Sequence, residues 1–196
     1  MERQNWKPGN MLYPLPAVLI TTEYEGKTNA FTVAWCGNAC TNPPMVTISV
    51  RKSRYSYDLI KNSGEFVINL VNEDLLKKAD YCGVKSGRDI DKFSECKFTK
   101  NYIEGVKVPG ILESPVNIGC KVDKIIELGS HDLFIAYVMG VNVDSSLLDE
   151  SNRFDLGKAN LISYSHGEYF SLGEKLGTFG YSVRKSGRNV KSGNTK

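Results

Sequence analysis

The chain of 196 residues carries 25 lysines and arginines against 22 aspartates and glutamates, a net charge of +3. Five of these cations and no acid lie in residues 182–196, so the rest of the chain, with 20 basic and 22 acidic residues, has a net charge of −2. A nucleic-acid-binding protein ordinarily spreads its cations over a folded face, so this balance argues against nucleic acid, and no apolar run approaches the length of a membrane span.

Length and composition predict one domain over residues 1–181, because a chain of this size with ordinary hydrophobic content closes a single core. The remainder, 182–196, is rich in glycine, serine, asparagine and lysine and has no apolar periodicity. Such a segment buries too little surface to offset its ordering entropy, so we expect a mobile tail. An arm that contacts RNA or a membrane is the alternative interpretation of this tail.

Five cysteines, an odd number, stand at positions 36, 40, 82, 96 and 120. This scatter predicts free thiols in a reducing cytoplasm, and the charged, polar N-terminus does not resemble a signal peptide. The C-x-x-x-C spacing of Cys36 and Cys40 has two interpretations, a redox or metal-ligand pair and plain packing. Packing is favoured and no metal site is predicted, because no second cysteine pair or nearby histidine completes a tetrahedral set.

Short apolar stretches separated by turn residues predict a β protein. In chain order, strands are expected at 17–24, 29–35, 45–50, 65–71, 116–128 and 133–143, with shorter ones near 160–164 and 169–171. A hairpin turn is predicted across 25–27. Helical spacing marks a segment from Tyr55 that stops at Gly64, and a second one over 73–81 with Gly83 after it. Residues 86–96 are expected to form a polar loop with one helical turn. Together these elements predict a mainly β fold, a closed or nearly closed antiparallel barrel with two or three short helices.

The stretch 29–56 combines a small-polar and aromatic strand, a Pro-Pro corner and a basic, hydroxyl-rich turn. It predicts a pocket for a ligand with a phosphate at one end and a flat ring at the other. Donors to the anion are expected from Asn29, Thr32, Ser53 and Ser56, and neutralising charge from Arg51, Lys52 and Arg54. Ala34 and Trp35 are expected to form a flat apolar wall, although a strand tryptophan also suits the core.

The turn RKSRYS, from Arg51 through Tyr55 to Ser56, stands where a strand runs into a helix. The positive end of that helix can therefore support the phosphate. The alternative is a solvated turn in which Ser53 or Ser56 caps the helix. Neither a G-x-G-x-x-G nor a P-loop motif occurs, so side chains and strand-end amides must hold any phosphate.

Hydrolytic chemistry is disfavoured. His131 and His166 are the only histidines, and neither a G-x-S-x-G nor an H-E-x-x-H motif is present. His131 is expected at a tight turn before a strand, as a surface or hydrogen-bonding residue rather than a catalytic residue.

The order N-x-F-T-x-A-W, P-P, a strand ending in RKSRYS, and then IKNSGEFVINL resembles the flavin reductase-like family of FMN-binding split barrels, and within it the flavoredoxin group. The segments SGRDIDKF and SHDLFIAYV, at 86–93 and 130–138, resemble stretches that this family places around the flavin. The resemblance implies an antiparallel Greek-key split β-barrel with FMN as cofactor. It also implies a homodimer with the flavin between subunits, and a redox activity: flavin reduction by NAD(P)H or electron transfer to a protein partner. A non-enzymatic FMN-binding module for sensing or storage is the alternative.

The resemblance also suggests roles for individual residues. His131 is placed near the flavin or the nicotinamide, and it is the one candidate for a catalytic residue, with proton transfer as its less favoured role. Lys92 is the candidate for the positive charge that stabilises a reduced, anionic flavin, with Arg88 as second choice. The alternative for Lys92 is an exposed lysine in a loop.

Overall fold

The computed structural model describes residues 1–183. Its strands are β1 (Leu15–Pro16), β2 (Val18–Tyr24), β3 (Lys27–Val33), β4 (Cys36–Cys40), β5 (Met45–Val50), β6 (Glu65–Leu70), β7 (Lys100–Tyr102), β8 (Pro109–Ile111), β9 (Val116–Glu127), β10 (Asp132–Val143), β11 (Ile162–Ser165) and β12 (Glu168–Ser171). Its α-helices are α1 (Tyr55–Ser63), α2 (Leu76–Val84) and α3 (Lys92–Glu95). Short 3₁₀ helices lie at Glu73–Leu75, Ser145–Leu147, Leu156–Ala159 and Tyr181–Val183. The predicted tail, 182–196, lies outside the described residues except for its first two positions.

Seven strands form the main sheet in the order β3-β2-β6-β9-β10-β5-β4. Every pairing in it is antiparallel. Strands β1, β11 and β12 form a second sheet, and β7 and β8 form a third. The prediction of a mainly β, antiparallel fold with a few short helices is therefore confirmed.

The hairpin between β2 and β3 closes through Glu25 and Gly26, whose φ angles are +48° and +74°. Two consecutive positive φ angles are typical of the tight turn that matches the strand twist, and glycine adopts one of them without strain. Pairing resumes at once, since Tyr24 lies opposite Lys27. The predicted turn is therefore correct in place and one residue too long.

The core lies between the inward faces of the sheet and helix α1. In β5 the residues Val46, Ile48 and Val50 are buried in alternation, as the period of a strand requires. They pack with Phe66 and Phe134 in one continuous cluster.

Helix α1 begins and ends as its sequence suggests. Tyr57, Leu59 and Ile60 are buried on its inner side, and Gly64 ends it with a φ of +69°. The alternative that Ser53 or Ser56 caps this helix is wrong. The N-cap is Arg54, and no side chain makes a capping hydrogen bond.

Two local predictions need correction. Helix α2 continues through Gly83 to Val84, so Gly83 does not end it. A Cβ at Gly83 would lie 3.3 Å from the Cβ of Thr32, and the glycine thus permits close packing of α2 on β3. Strands β1, β4, β7 and β8 were not predicted. In β4 the small and polar residues lie mostly exposed beside β5 rather than in the core.

The topology brings the ends of several strands and helices to one side of the molecule. The last residue of β3, Val33, and the last residue of β5, Val50, lie there with the first residue of α1 and the end of α2. Within residues 1–183, no helix has both the length and the apolar character that a bilayer crossing requires.

Candidate functional site

Two adjoining cavities lie where these ends of strands and helices meet. The larger, about 400 Å³, is here called the aromatic cleft, because Phe31, Trp35, His131, Tyr164 and Tyr169 line it. The smaller, about 270 Å³, is called the anion cavity, because Arg51, Arg54, Lys85, Arg88 and Lys92 line it. Phe31, Arg51 and Arg54 belong to both linings, so the two spaces are continuous. No aspartate or glutamate among the described residues lines either cavity.

His131 and Trp35 form one wall of the aromatic cleft. Their ring centroids are 4.5 Å apart at an interplanar angle of 39°. Trp35 is 37% exposed, so it belongs to the cleft wall and not to the core. Ala34 precedes it in the same lining and leaves the cleft open, because its side chain is a single methyl group.

The hydrogen bonds of His131 define its tautomer, in which Nδ1 carries the proton and Nε2 accepts. Arg51 Nε donates to Nε2 over 3.3 Å, and Nδ1 lies 2.9 Å from Ser130 Oγ, to which it can donate. Burial, and then the positive charges of Arg51 and Arg54, lower the pKa of His131 below its ordinary value of 6.5. The lowered pKa favours the neutral imidazole, and with both ring nitrogens engaged His131 suits a wall and an orienting residue better than a proton donor.

Two cations of the anion cavity are held by the end of helix α2. Lys92 Nζ donates to the Cys82 carbonyl oxygen over 2.7 Å, and Arg54 Nη1 donates to that of Gly83 over 3.2 Å. Lys92 is only 2% exposed, and burial lowers its pKa from the ordinary value of 10.5. The alternative that Lys92 is an exposed loop lysine is therefore wrong.

Arg88 covers the start of helix α1. Its Nη1 donates to the Ser53 carbonyl oxygen over 3.0 Å, and its guanidinium carbon lies 5.7 Å from the centroid of the Tyr55 ring. Ser53, Tyr55 and Arg88 all line the anion cavity.

The floor of the anion cavity is polar and tightly packed. Asn29 Nδ2 donates to Ser56 Oγ over 2.7 Å, and both side chains are buried. A Cβ at Gly87 would lie 2.3 Å from Asn29 Oδ1, so only glycine permits this backbone approach.

One predicted donor, Thr32, and one predicted neutralising charge, Lys52, do not line the anion cavity. The Thr32 hydroxyl donates to the Ala79 carbonyl oxygen, which ties β3 to α2, and Thr32 lines the aromatic cleft instead. Lys52 lines neither cavity. Its Nζ lies 3.1 Å from Glu127 Oε2 and 3.5 Å from Asp132 Oδ2. The side chain of Lys52 thus forms ion pairs with Glu127 and Asp132 instead.

Asp132 anchors the strand that follows His131. Its side chain is fully buried, and Oδ2 accepts a 2.6 Å hydrogen bond from the Tyr57 hydroxyl. That bond is the main reason why the pKa of Asp132 is lowered from 3.8 and the pKa of Tyr57 is raised to about 12.

Several residues that line the two cavities were not predicted from the sequence. Lys85, Ser86 and Gly87 follow helix α2 and lie in the anion cavity. Only Ser86 and Gly87 fall in the motif SGRDIDKF, which was the available signal. Tyr164 and Tyr169 reach the aromatic cleft from β11 and β12, and no local pattern marks such long-range contacts. Within residues 1–183, no group of three or more His, Cys, Asp or Glu side chains could hold a metal ion.

Comparison with known proteins gives the family and the fold of the chain. The chain belongs to the flavin reductase-like domain family, which matches residues 11–173. An uncharacterized protein of Archaeoglobus fulgidus is 32% identical over 160 residues, which are 82% of this chain and 89% of that protein.

Two solved flavoredoxins have the same fold. The flavoredoxin of Desulfovibrio vulgaris (Miyazaki F) is 30% identical with a TM-score of 0.86, over 93% of this chain and 100% of that one. The flavoredoxin from Methanosarcina acetivorans is 26% identical with a TM-score of 0.85, over 94% and 100%. The resemblance inferred from the sequence is confirmed.

Proposed function

We propose that this protein binds FMN, with the phosphate in the anion cavity and the flavin ring in the aromatic cleft. The observation that carries the proposal is the continuity of a cation-lined, acid-free cavity with a cleft lined by aromatic rings. A phosphate and a flat ring at opposite ends of one ligand require this arrangement.

The cations of the anion cavity fit a phosphate because their charges are uncompensated. Four of them donate to neutral acceptors, Arg51 to His131, Arg54 to Gly83, Arg88 to Ser53 and Lys92 to Cys82. Within the described part of the chain, none of the four forms an ion pair. A phosphate monoester carries a charge of about −1.5 to −2 at pH 7 and would balance part of this excess.

The chemistry supplied by bound FMN is the acceptance of a hydride and the onward transfer of electrons. The protein's own residues would position the flavin ring and stabilise negative charge on it. Ala34 leaves room for a planar ring, Trp35 and His131 limit the access of water on one side, and Arg51 and Arg54 supply positive charge where the two cavities meet. The neutral His131 would orient the ring without donating a proton to it.

The activity we propose is flavin-dependent redox chemistry, either flavin reduction by NAD(P)H or electron transfer to a protein partner. Membership of the flavin reductase-like family and the overall similarity to two flavoredoxins support this class. The protein is also proposed to act in the cytoplasm, since all five of its cysteines are free thiols.

A homodimer completes the proposal. Three residues of β10, Tyr137, Met139 and Val141, expose large apolar side chains around the β-bulge between Val138 and Gly140. Exposed apolar side chains grouped in this way suit a subunit interface. Light scattering coupled to size-exclusion chromatography would distinguish a dimer from a 21.8 kDa monomer.

The absorption spectrum tests the central claim. Purified protein titrated with FMN is expected to bind it in a 1:1 ratio per chain, with a perturbed flavin spectrum. Oxidation of NADH and NADPH is then followed with FMN bound. Reduction of the bound FMN by NADH, by NADPH or by a reduced redox protein supports the proposed redox activity. Bleaching by dithionite alone supports the non-enzymatic binding module, and a failure to bind FMN contradicts the proposal.

A further inference from the structure

The thiols of Cys82 and Cys96 lie in contact, with 3.8 Å between their Sγ atoms. Cys82 is fully buried near the end of α2, and Cys96, which directly follows α3, is 6% exposed. Within residues 1–183 no other pair of cysteines makes such a contact. The C-x-x-x-C pair behaves differently: Cys36 packs at the edge of the core, and Cys40 is exposed at the far end of β4.

The end of α2 and the segment of α3, which carry the two cysteines, also hold cations of the anion cavity. The carbonyl oxygen of Cys82 accepts the Lys92 hydrogen bond, and that of Gly83 accepts the Arg54 hydrogen bond. Lys92 and Cys96 lie one helical turn apart, joined by a 3.0 Å hydrogen bond from the Cys96 amide to the Lys92 carbonyl oxygen. A movement of either sulfur therefore reaches the cavity lining directly.

We propose that Cys82 and Cys96 form a reversible intramolecular disulfide, and that this disulfide weakens the binding of a phosphate-bearing ligand in the anion cavity. A disulfide requires the two sulfurs to approach from 3.8 Å to about 2.05 Å. The end of α2 and the residues of α3 must shift to close this gap. Lys92 and Arg54, which depend on the α2 carbonyl groups, then leave their present positions. The second half of the proposal rests on the proposed function, because FMN is the ligand used to observe it.

Hydrogen peroxide is the oxidant that this site would use. One thiol loses its proton, and the thiolate attacks the peroxide. The O–O bond breaks, a sulfenic acid forms, and the released hydroxide takes up that proton and leaves as the first water. The second thiol then displaces the hydroxyl group as a second water, and the S–S bond forms. Two S–H bonds are lost and one S–S bond is gained, so the two electrons leaving sulfur reduce the peroxide. A small dithiol reductant reverses the change.

Access to the pair is narrow. Cys96 lines a surface cavity of about 520 Å³, whereas Cys82 lies behind it. Burial raises the pKa of Cys82 to about 12 and raises the pKa of Cys96 above its ordinary value of 9.0. Because the thiolate is the nucleophile, the reaction is expected to accelerate from pH 7 to pH 9.

Mass spectrometry tests the disulfide without any flavin. The full-length protein is treated with hydrogen peroxide, and its mass is expected to fall by about 2 Da, the two hydrogens lost in this chemistry. A non-reduced tryptic digest should join the peptides 79–85 and 93–97, each of which holds one of the two cysteines. The matched control is Cys40→Ser, which removes an exposed thiol and should leave the cross-link intact. Cys96→Ser should abolish the cross-link.

Binding titrations test the coupling. The dissociation constant for FMN is expected to rise about threefold or more in the oxidised protein and to recover after reduction. Riboflavin, which lacks the phosphate, should change little. Cys96→Ser should show no response of FMN binding to peroxide.

The outcomes are distinct. Absence of the 79–85 to 93–97 cross-link in peroxide-treated wild-type protein overturns the proposal, and needs no variant to be folded. A cross-link that leaves FMN affinity unchanged overturns the coupling. If neither form binds FMN, the proposed function fails, while the digest still decides whether the disulfide exists.

Discussion

Arg51 donates a 3.3 Å hydrogen bond to His131, a residue 80 positions further along the chain. The register of the sheet explains the contact. Val50, the last residue of β5, lies opposite Asp132, the first residue of β10, so the next residue outward on each strand meets its counterpart. The aromatic cleft and the anion cavity share Arg51, and its position is therefore a consequence of strand pairing.

Arg88→Ala should weaken FMN selectively. Arg88 lines the anion cavity but not the aromatic cleft. Loss of one charged contact is expected to reduce FMN affinity by about 1.5–3 kcal/mol, or roughly ten- to a hundredfold, and to affect riboflavin little. Lys52→Ala is the matched control, because Lys52 pairs with Glu127 outside both cavities. Isothermal titration of both flavins measures the effect, and equal losses for FMN and riboflavin would contradict this phosphate site.

Ala34→Phe should abolish flavin binding while the fold persists. The new ring would occupy the aromatic cleft, which Ala34 now leaves open. Ala39→Phe introduces the same ring on the exposed part of strand β4 and should bind flavin normally. Fluorescence quenching of flavin reports binding, and circular dichroism reports the fold. Full flavin occupancy in Ala34→Phe would show that the ring lies elsewhere.

Lys92→Met should lower the midpoint potential of bound FMN. A buried cation favours the anionic reduced flavin over the neutral oxidised one, and methionine removes the charge but keeps much of the stem. Lys77→Met makes the same replacement at an exposed residue of α2 that lines neither cavity. Spectroelectrochemical titration at saturating FMN measures the potential. An unchanged potential in Lys92→Met would remove Lys92 from the flavin's electrostatic environment.

Tyr57→Phe should destabilise the protein at pH 7, and by less in acid. The Tyr57 hydrogen bond lowers the pKa of Asp132 below 3.8 in the folded state. A lowered carboxyl pKa contributes stability above the ordinary value, and that contribution is lost as the pH falls through the folded value. The stability difference between wild type and variant should therefore narrow below pH 3.8. Urea unfolding at pH 7 and pH 3 measures it, with Tyr102→Phe as the exposed control. A difference independent of pH would assign the effect to packing alone.

Local sequence determined most of the secondary structure. Alternating apolar residues predicted β5 from Met45 to Val50 with the observed bounds, and Gly64 ended helix α1 where its free φ was needed. The cations at Arg51 and Arg54 were also evident, because a turn between a strand and a helix places neighbouring residues together. These features depend on residues within a few positions of one another.

Tertiary structure decided which of those residues face the site. Lys52 is the neighbour of Arg51, yet it is directed to Glu127 and Asp132, because β9 and β10 bring acids to its side of the turn. Tyr169 lines the aromatic cleft and Lys85 lines the anion cavity, and the two residues come from segments far apart in the chain. The thiols of Cys82 and Cys96 meet because α2 and α3 both pack against β3, a contact that cysteine spacing did not reveal. Strand alternation and turn chemistry act locally, whereas the direction of a side chain at a shared cavity depends on elements that only the folded chain brings together.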